Sequence, residues 1–156
     1  MIDTHSGMKV LIVEDMLAFR KFLKAQLSAL GLRQVTETED GALAWKALEE
    51  AAKANEPFDL IICDWNMPHM NGLELLKAVR GDSRFRHLPF LMLTAEAEVS
   101  SIMTAFEAGV SDYVVKPFNS DQLQKKLGLV LSNREPLGGE AVSQPYRQPK
   151  LPEPNH

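Results

Sequence analysis

The chain has 156 residues, 45% hydrophobic and 24% charged, which is enough for one well-buried domain and little more. Its formal charge of −4 argues against nucleic acid as a partner, because that binding is driven by basic patches. No apolar run approaches a membrane span, and the one cysteine, Cys63, rules out a disulfide framework; both fit a cytoplasmic protein.

Residues 1–7 form a polar leader without the basic-then-apolar pattern of a signal peptide. Lys9-Val10-Leu11-Ile12-Val13 then reads as a strand ending at Glu14-Asp15. Phe19, Phe22, Leu23, Leu27 and Leu30 follow at helical spacing, closed by Gly31. Val35-Thr36-Glu37-Thr38 is a more polar strand, as expected at a sheet edge. Asp40-Gly41 turns into a second helix with Leu43, Ala44, Ala47, Leu48 and Ala51, ended by Asn55-Glu56-Pro57.

Leu60-Ile61-Ile62-Cys63 is apolar throughout and runs straight into Asp64, the pattern of a strand buried on both faces of a parallel sheet. Asn71-Gly72 starts a third helix with Leu73, Leu76 and Val79. A loop from Gly81 to Leu88 leads into Phe90-Leu91-Met92-Leu93-Thr94, again wholly apolar before its terminal hydroxyl. A fourth helix carries Val99, Ile102, Met103 and Phe106 and stops at Gly109. Ser111 to Val115 is a fifth strand ending at Lys116-Pro117, and a last helix runs from Asn119 through Leu123, Leu127 and Val130.

Alternating strands and helices with apolar central strands define an α/β fold, a five-stranded parallel sheet with helices on both faces. The domain spans 8–134. From Glu135 onward, in 135–156, five of the nine prolines gather with Gly138-Gly139, so this segment reads as a disordered tail. Pro149-Lys150-Leu151-Pro152 fits a PxxP spacing, which in such a tail reads first as solvated chain.

In a parallel sheet all carboxyl ends lie on one edge, so Glu14, Asp15, Asp64, Thr94 and Lys116 converge there. Taken singly, each has a plainer explanation: a helix cap for Asp15, a turn for Asp64, a strand end for Thr94, a solvated charge for Lys116. Together they define a charge problem. Two like charges about 4 Å apart cost roughly 4 kcal/mol at an effective dielectric near 20. Three carboxylates therefore need a cation, and oxygen ligands suit Mg²⁺. Mg²⁺ and Lys116 would balance the three acids, and could stabilise the added charge if Asp64 is a nucleophile that becomes phosphorylated.

Val13-Glu14-Asp15, Asp64-Trp65-Asn66-Met67-Pro68, Asn71-Gly72-Leu73-Glu74-Leu75-Leu76-Lys77, Thr94-Ala95-Glu96-Ala97 and Tyr113-Val114-Val115-Lys116-Pro117-Phe118 occur in order. Carrying these segments, the stretch from about Lys9 to Leu131 resembles a response-regulator receiver domain of the chemotaxis, CheY-like type. The resemblance implies a flavodoxin-like sheet of order 2-1-3-4-5. It implies that Asp64 accepts a phosphoryl group from a CheA-like histidine kinase or a small donor. Asp15, Asp64 and the Asn66 carbonyl would bind Mg²⁺, with Glu14 acting through water. Lys116 would pair with phosphoryl oxygens, before a cis bond to Pro117. Thr94 would move to the phosphoryl group, and Tyr113 would swing inward. Asn66 and Glu96 would tune dephosphorylation.

The resemblance further implies an output surface on the fourth helix, fifth strand and fifth helix. Ile102, Tyr113 and Lys126 match family residues that contact the flagellar motor switch. Phe106 departs from the small residue usual at its position, and core packing is the competing reading for both Ile102 and Phe106. Glu14 replaces the commoner aspartate of the chemotaxis type.

The expectation is a monomeric single-domain signalling switch rather than a metabolic enzyme, with no room for a further output domain. A motor switch protein or another effector is its expected partner, with a phosphatase as a further candidate. A phosphorelay shuttle is the alternative that keeps the fold. A phosphohydrolase of the haloacid dehalogenase kind is the alternative that does not: it needs a second acid two residues after the nucleophile, where Asn66 stands, and a nucleophile on the first strand.

Overall fold

The structure, a computed structural model, describes residues 7–95 and 99–132. Glu96, the leader before Gly7 and the proline-rich tail, with its PxxP stretch, lie outside the described residues.

The chain alternates β1 (Lys9–Val13), α1 (Leu17–Ala29), β2 (Gln34–Thr38), α2 (Gly41–Lys53), β3 (Leu60–Asp64), α3 (Gly72–Gly81), β4 (Phe90–Thr94), α4 (Val99–Glu107), β5 (Asp112–Val115) and α5 (Ser120–Ser132). The five strands form one parallel sheet in the order β2-β1-β3-β4-β5, so the expected fold class and strand order are both found. β3 and β4 are buried along their whole length, whereas the polar β2 sits at the edge and keeps partial exposure.

Side chains alternate across the pleat and split the core in two. Leu11, Val13, Ile61 and Cys63 face Ala44, Leu48, Leu75, Leu76, Val79, Ile102 and Phe106, so α2, α3 and α4 cover one face. Val10, Ile12, Ile62, Leu91 and Leu93 face Leu23, Leu27, Leu123 and Leu127, which places α1 and α5 on the other. Each such leucine, fully withdrawn from water, contributes about 1.5–3 kcal/mol before entropy is counted.

Local signals set the helix starts. The Asp40 carboxylate accepts the Leu43 N–H at 2.9 Å, capping α2. Asn71 and Glu74 form a reciprocal capping box at α3, each side chain accepting the other's backbone N–H at 2.9 Å. Gly31, at φ 86°, provides the left-handed residue that ends α1.

Gly72 is required by space instead. A Cβ there would meet the Asp64 carbonyl oxygen, with the Trp65 Cα and Met92 Sδ each 2.9 Å away. Its N–H donates to the Trp65 carbonyl at 2.8 Å, so α3 begins hard against the end of β3.

Candidate phosphoacceptor site

The carboxyl edge of the sheet is tied together by backbone hydrogen bonds. The Trp65 N–H donates to Leu93 O at 2.9 Å, Lys116 N–H to Thr94 O at 2.7 Å, and Glu14 N–H to Thr38 O at 3.0 Å. Side chains at the ends of β1, β3, β4 and β5 therefore issue from one rigid rim.

Glu14 is completely buried and Asp64 nearly so, at 6% exposure, while Asp15 is open to solvent. One carboxylate oxygen from each of the three lies within 4.8 Å of the others. Lys116 Nζ bridges the two buried acids, 3.2 Å from Glu14 Oε1 and 3.2 Å from Asp64 Oδ1. The other Glu14 oxygen, Oε2, accepts the Met16 N–H at 3.0 Å.

Burial sets the acidities. It pushes Glu14 from 4.5 up to about 7, aided by the neighbouring Asp64 charge and opposed by the Met16 N–H and by Lys116. Asp64 is also raised by burial, with Lys116 as the main opposing influence. Cys63, buried beside them with its thiol donating to the Asp64 carbonyl at 3.1 Å, is raised well above its usual range and stays an inert thiol.

Three carboxylates facing one lysine leave an excess of negative charge among hard oxygen donors. That donor set fits Mg²⁺, with Glu14, Asp15 and Asp64 as the residues that would hold it.

Thr94 ends β4 at 1% exposure, and Asn66 lies exposed in the loop after β3. The Lys116–Pro117 bond is cis, as expected. Glu14, Asp15, Asp64 and Lys116 thus meet at one edge of the sheet, and Thr94 ends the strand beside β3.

The proposed output residues separate into two groups. Ile102, at 4% exposure, and Phe106, at 6%, pack into the core, so neither is a surface contact in this conformation. This corrects the expectation that they stand on the docking surface: the apolar stripe of α4 turns toward the sheet, and Phe106 meets the ring of Tyr113 edge-on at 5.7 Å. Tyr113 and Lys126 remain partly exposed. Lys126 is nevertheless engaged, its Nζ 3.0 Å from Asp112 Oδ1 and 4.9 Å from the Tyr113 ring centroid.

Three participants were missed by sequence reasoning. Arg20 donates from Nη1 to the Glu14 carbonyl at 2.7 Å and reaches Glu37 at 3.4 Å, fixing the loop that carries Glu14 and Asp15. Its only signal was a basic residue one turn into the helix after an acidic pair. Asp112, fully buried, was read as an ordinary strand residue. Phe19 was read as helix packing, yet its ring lies 4.3 Å from Lys116 Nζ.

A parallel sheet whose carboxyl rim gathers a buried aspartate, two further acids and a lysine defines a receiver module. The chain belongs to this family: the response regulator receiver domain model matches residues 10–128. It is similar to chemotaxis protein CheY1 of Helicobacter pylori, with 44% identity over 128 residues, 82% of this chain and 100% of that protein. Among solved structures it resembles the chemotaxis response regulator CheY4 of Vibrio cholerae, with TM-score 0.68 and 38% identity over 79% of this chain and 98% of that one. It also resembles the phosphorylated cyanobacterial phytochrome response regulator RcpA, with TM-score 0.68 and 26% identity over 81% and 93% of the two chains. The protein is a response regulator of the CheY type. Among the described residues, no helix is long and apolar enough to cross a membrane.

Proposed function

We propose that this protein is a cytoplasmic chemotaxis switch in which Asp64 is the phosphoacceptor. The observation that carries the reading is Lys116 bridging Glu14 and Asp64, with Asp15 alongside, at the sheet's carboxyl rim. An Asp64 carboxylate oxygen attacks the phosphorus of a histidine kinase's phosphohistidine. The P–N bond breaks, and its electron pair returns to the imidazole nitrogen. Lys116 stabilises the phosphoryl oxygens as negative charge accumulates. Asp15, Asp64 and the Asn66 carbonyl, with Glu14 in support, would hold Mg²⁺, which would supply charge neutralisation there.

Thr94, at the end of β4, turns its hydroxyl to the phosphoryl group, and Tyr113 on the neighbouring strand moves inward against Phe106. The surface of α4, β5 and α5 then changes shape, a local charge biasing a two-state element. Ile102 and Phe106 act from beneath that surface, and Tyr113 and Lys126 act on it. Asn66 and Glu96 tune the approach of the hydrolytic water.

The chemotaxis proteins among the relatives support a flagellar motor switch protein as the partner. The likeness to a phytochrome response regulator supports a second reading, the same switch serving another effector or a phosphorelay. A pull-down with phosphorylated and unphosphorylated protein separates them. Retention of the motor switch protein by the phosphorylated form alone is expected. Equal or absent retention of that protein contradicts the chemotaxis output.

A further inference from the structure

Lys116 is held by more than its two acids. Its Nζ sits over the ring of Phe19, 4.3 Å from the centroid, while remaining 3.2 Å from both Glu14 Oε1 and Asp64 Oδ1. Both carboxylate distances exceed the ~2.7–2.9 Å of a tight charge-assisted hydrogen bond, so neither acid alone fixes a side chain with four rotatable carbons. The ring supplies a third contact of a different kind. Its face attracts a cation but accepts no strong hydrogen bond, leaving the ammonium protons available to oxygen.

The ring is itself fixed. Phe19 stacks on Phe22 at 5.7 Å and meets Phe118 edge-on at 5.6 Å, while Phe22 lies 6.2 Å from Phe118. Phe118 follows Lys116-Pro117 directly, so this aromatic trio fastens the lysine's own loop to the first turn of α1. Phe19 is also only half-buried, which pure core filling does not require.

We propose that Phe19 is a positioning residue for phosphoryl transfer: its ring face holds the Lys116 ammonium at the Asp64 carboxylate, where the incoming phosphoryl oxygens must arrive. The inference rests on the phosphoacceptor reading of Asp64 and Lys116. A leucine at position 19 would fill much of the volume without attracting the cation, and a tyrosine would keep the attraction.

The test measures the rate of phosphorylation by acetyl phosphate at saturating Mg²⁺. Phe19→Leu is expected to slow it roughly three- to tenfold, as loss of one partly desolvated cation–π contact implies. Phe19→Tyr is expected to restore the rate to within about twofold. Phe22→Leu removes one of the two rings that support Phe19 but leaves the Phe19 face on Lys116, so it should slow the reaction less than Phe19→Leu. Phe19→Met replaces Phe19→Leu if the latter does not fold. In unphosphorylated protein, proton NMR should show the Lys116 ε-methylene shifted upfield by the ring, a shift lost in Phe19→Leu and kept in Phe22→Leu.

An unchanged rate in the ringless variants overturns the inference, as does an equal slowing in Phe22→Leu. A wild type that is phosphorylated while Phe19→Leu keeps its rate sinks this inference alone. A wild type that takes no phosphate sinks it together with the reading of Asp64.

Discussion

Two lysines of this fold each meet a buried carboxylate, and the two corners are built to opposite ends. At the carboxyl rim, Lys116 faces Glu14 and Asp64, with the exposed Asp15 beside them, so acids outnumber cations. At the start of β5, Lys126 faces Asp112 alone. Asp112 Oδ1 receives Lys126 Nζ at 3.0 Å and the Tyr113 N–H at 2.8 Å, while Oδ2 is buried without a hydrogen-bond partner. The first corner is short of positive charge and suited to accept a cation. The second is neutral pair by pair, and holds Lys126 over Tyr113. Excess charge suits a site to take up a cation; compensated charge suits one to hold a shape.

Removing each lysine should separate the corners most sharply. Lys126→Met strands Asp112 in the core and is expected to cost about 3 kcal/mol in urea denaturation, the lower part of the range for breaking a buried pair because Lys126 is partly exposed. Millimolar Mg²⁺ should not restore that loss. Lys116→Met should lose stability that Mg²⁺ does restore, since another cation can compensate the acids. Equal responses of the two variants to Mg²⁺ would erase the distinction.

Gly72→Ala comes next. Its Cβ would collide with the Asp64 carbonyl, so an overpacking cost of about 2 kcal/mol is expected, together with weaker Mg²⁺ binding as the end of β3 shifts. Thermal unfolding and a Mg²⁺ titration followed through Trp65 fluorescence read the two effects. An unaltered midpoint in both would show that α3 has slack against β3.

The smallest effect concerns pH. A carboxyl whose folded pKa is raised holds its proton in the folded state up to that pKa. With Glu14 near 7 against 4.5, the stabilisation from its protonation in the metal-free protein is full below 4.5 and lost as pH rises through about 7. Protons and Mg²⁺ compete for the pocket, so Mg²⁺ affinity should fall about tenfold from pH 8 to pH 6. Glu14→Gln should flatten that dependence, and a wild-type affinity independent of pH would contradict the raised pKa of Glu14.

Much of this was legible in the chain because two strong patterns coincide. Apolar runs such as Leu60-Ile61-Ile62-Cys63 have little alternative to a doubly covered strand, and parallel topology sends their polar terminators to one rim. Asp40 and Asn71 announced their helix starts for equally local reasons. What stayed hidden depends on tertiary placement. Helical periodicity identified the stripe of Ile102 and Phe106, but whether it faced sheet or solvent had two readings, and the structure chose the sheet. Asp112 looked like a strand residue because its partner, Lys126, lies 14 residues on, midway along α5. Phe19 and Phe22 look alike in the helical pattern, yet only Phe19 faces the Lys116 ammonium; one-dimensional spacing does not encode that difference.

The central claim is that the under-compensated acid cluster is a phosphoacceptor whose nucleophile is Asp64. Intact-mass spectrometry after incubation with acetyl phosphate and Mg²⁺ tests it most directly. The account predicts the addition of one phosphoryl group to the wild-type chain, reversed by standing and absent from Asp64→Asn. An unchanged wild-type mass, or an equal gain in Asp64→Asn, would contradict it.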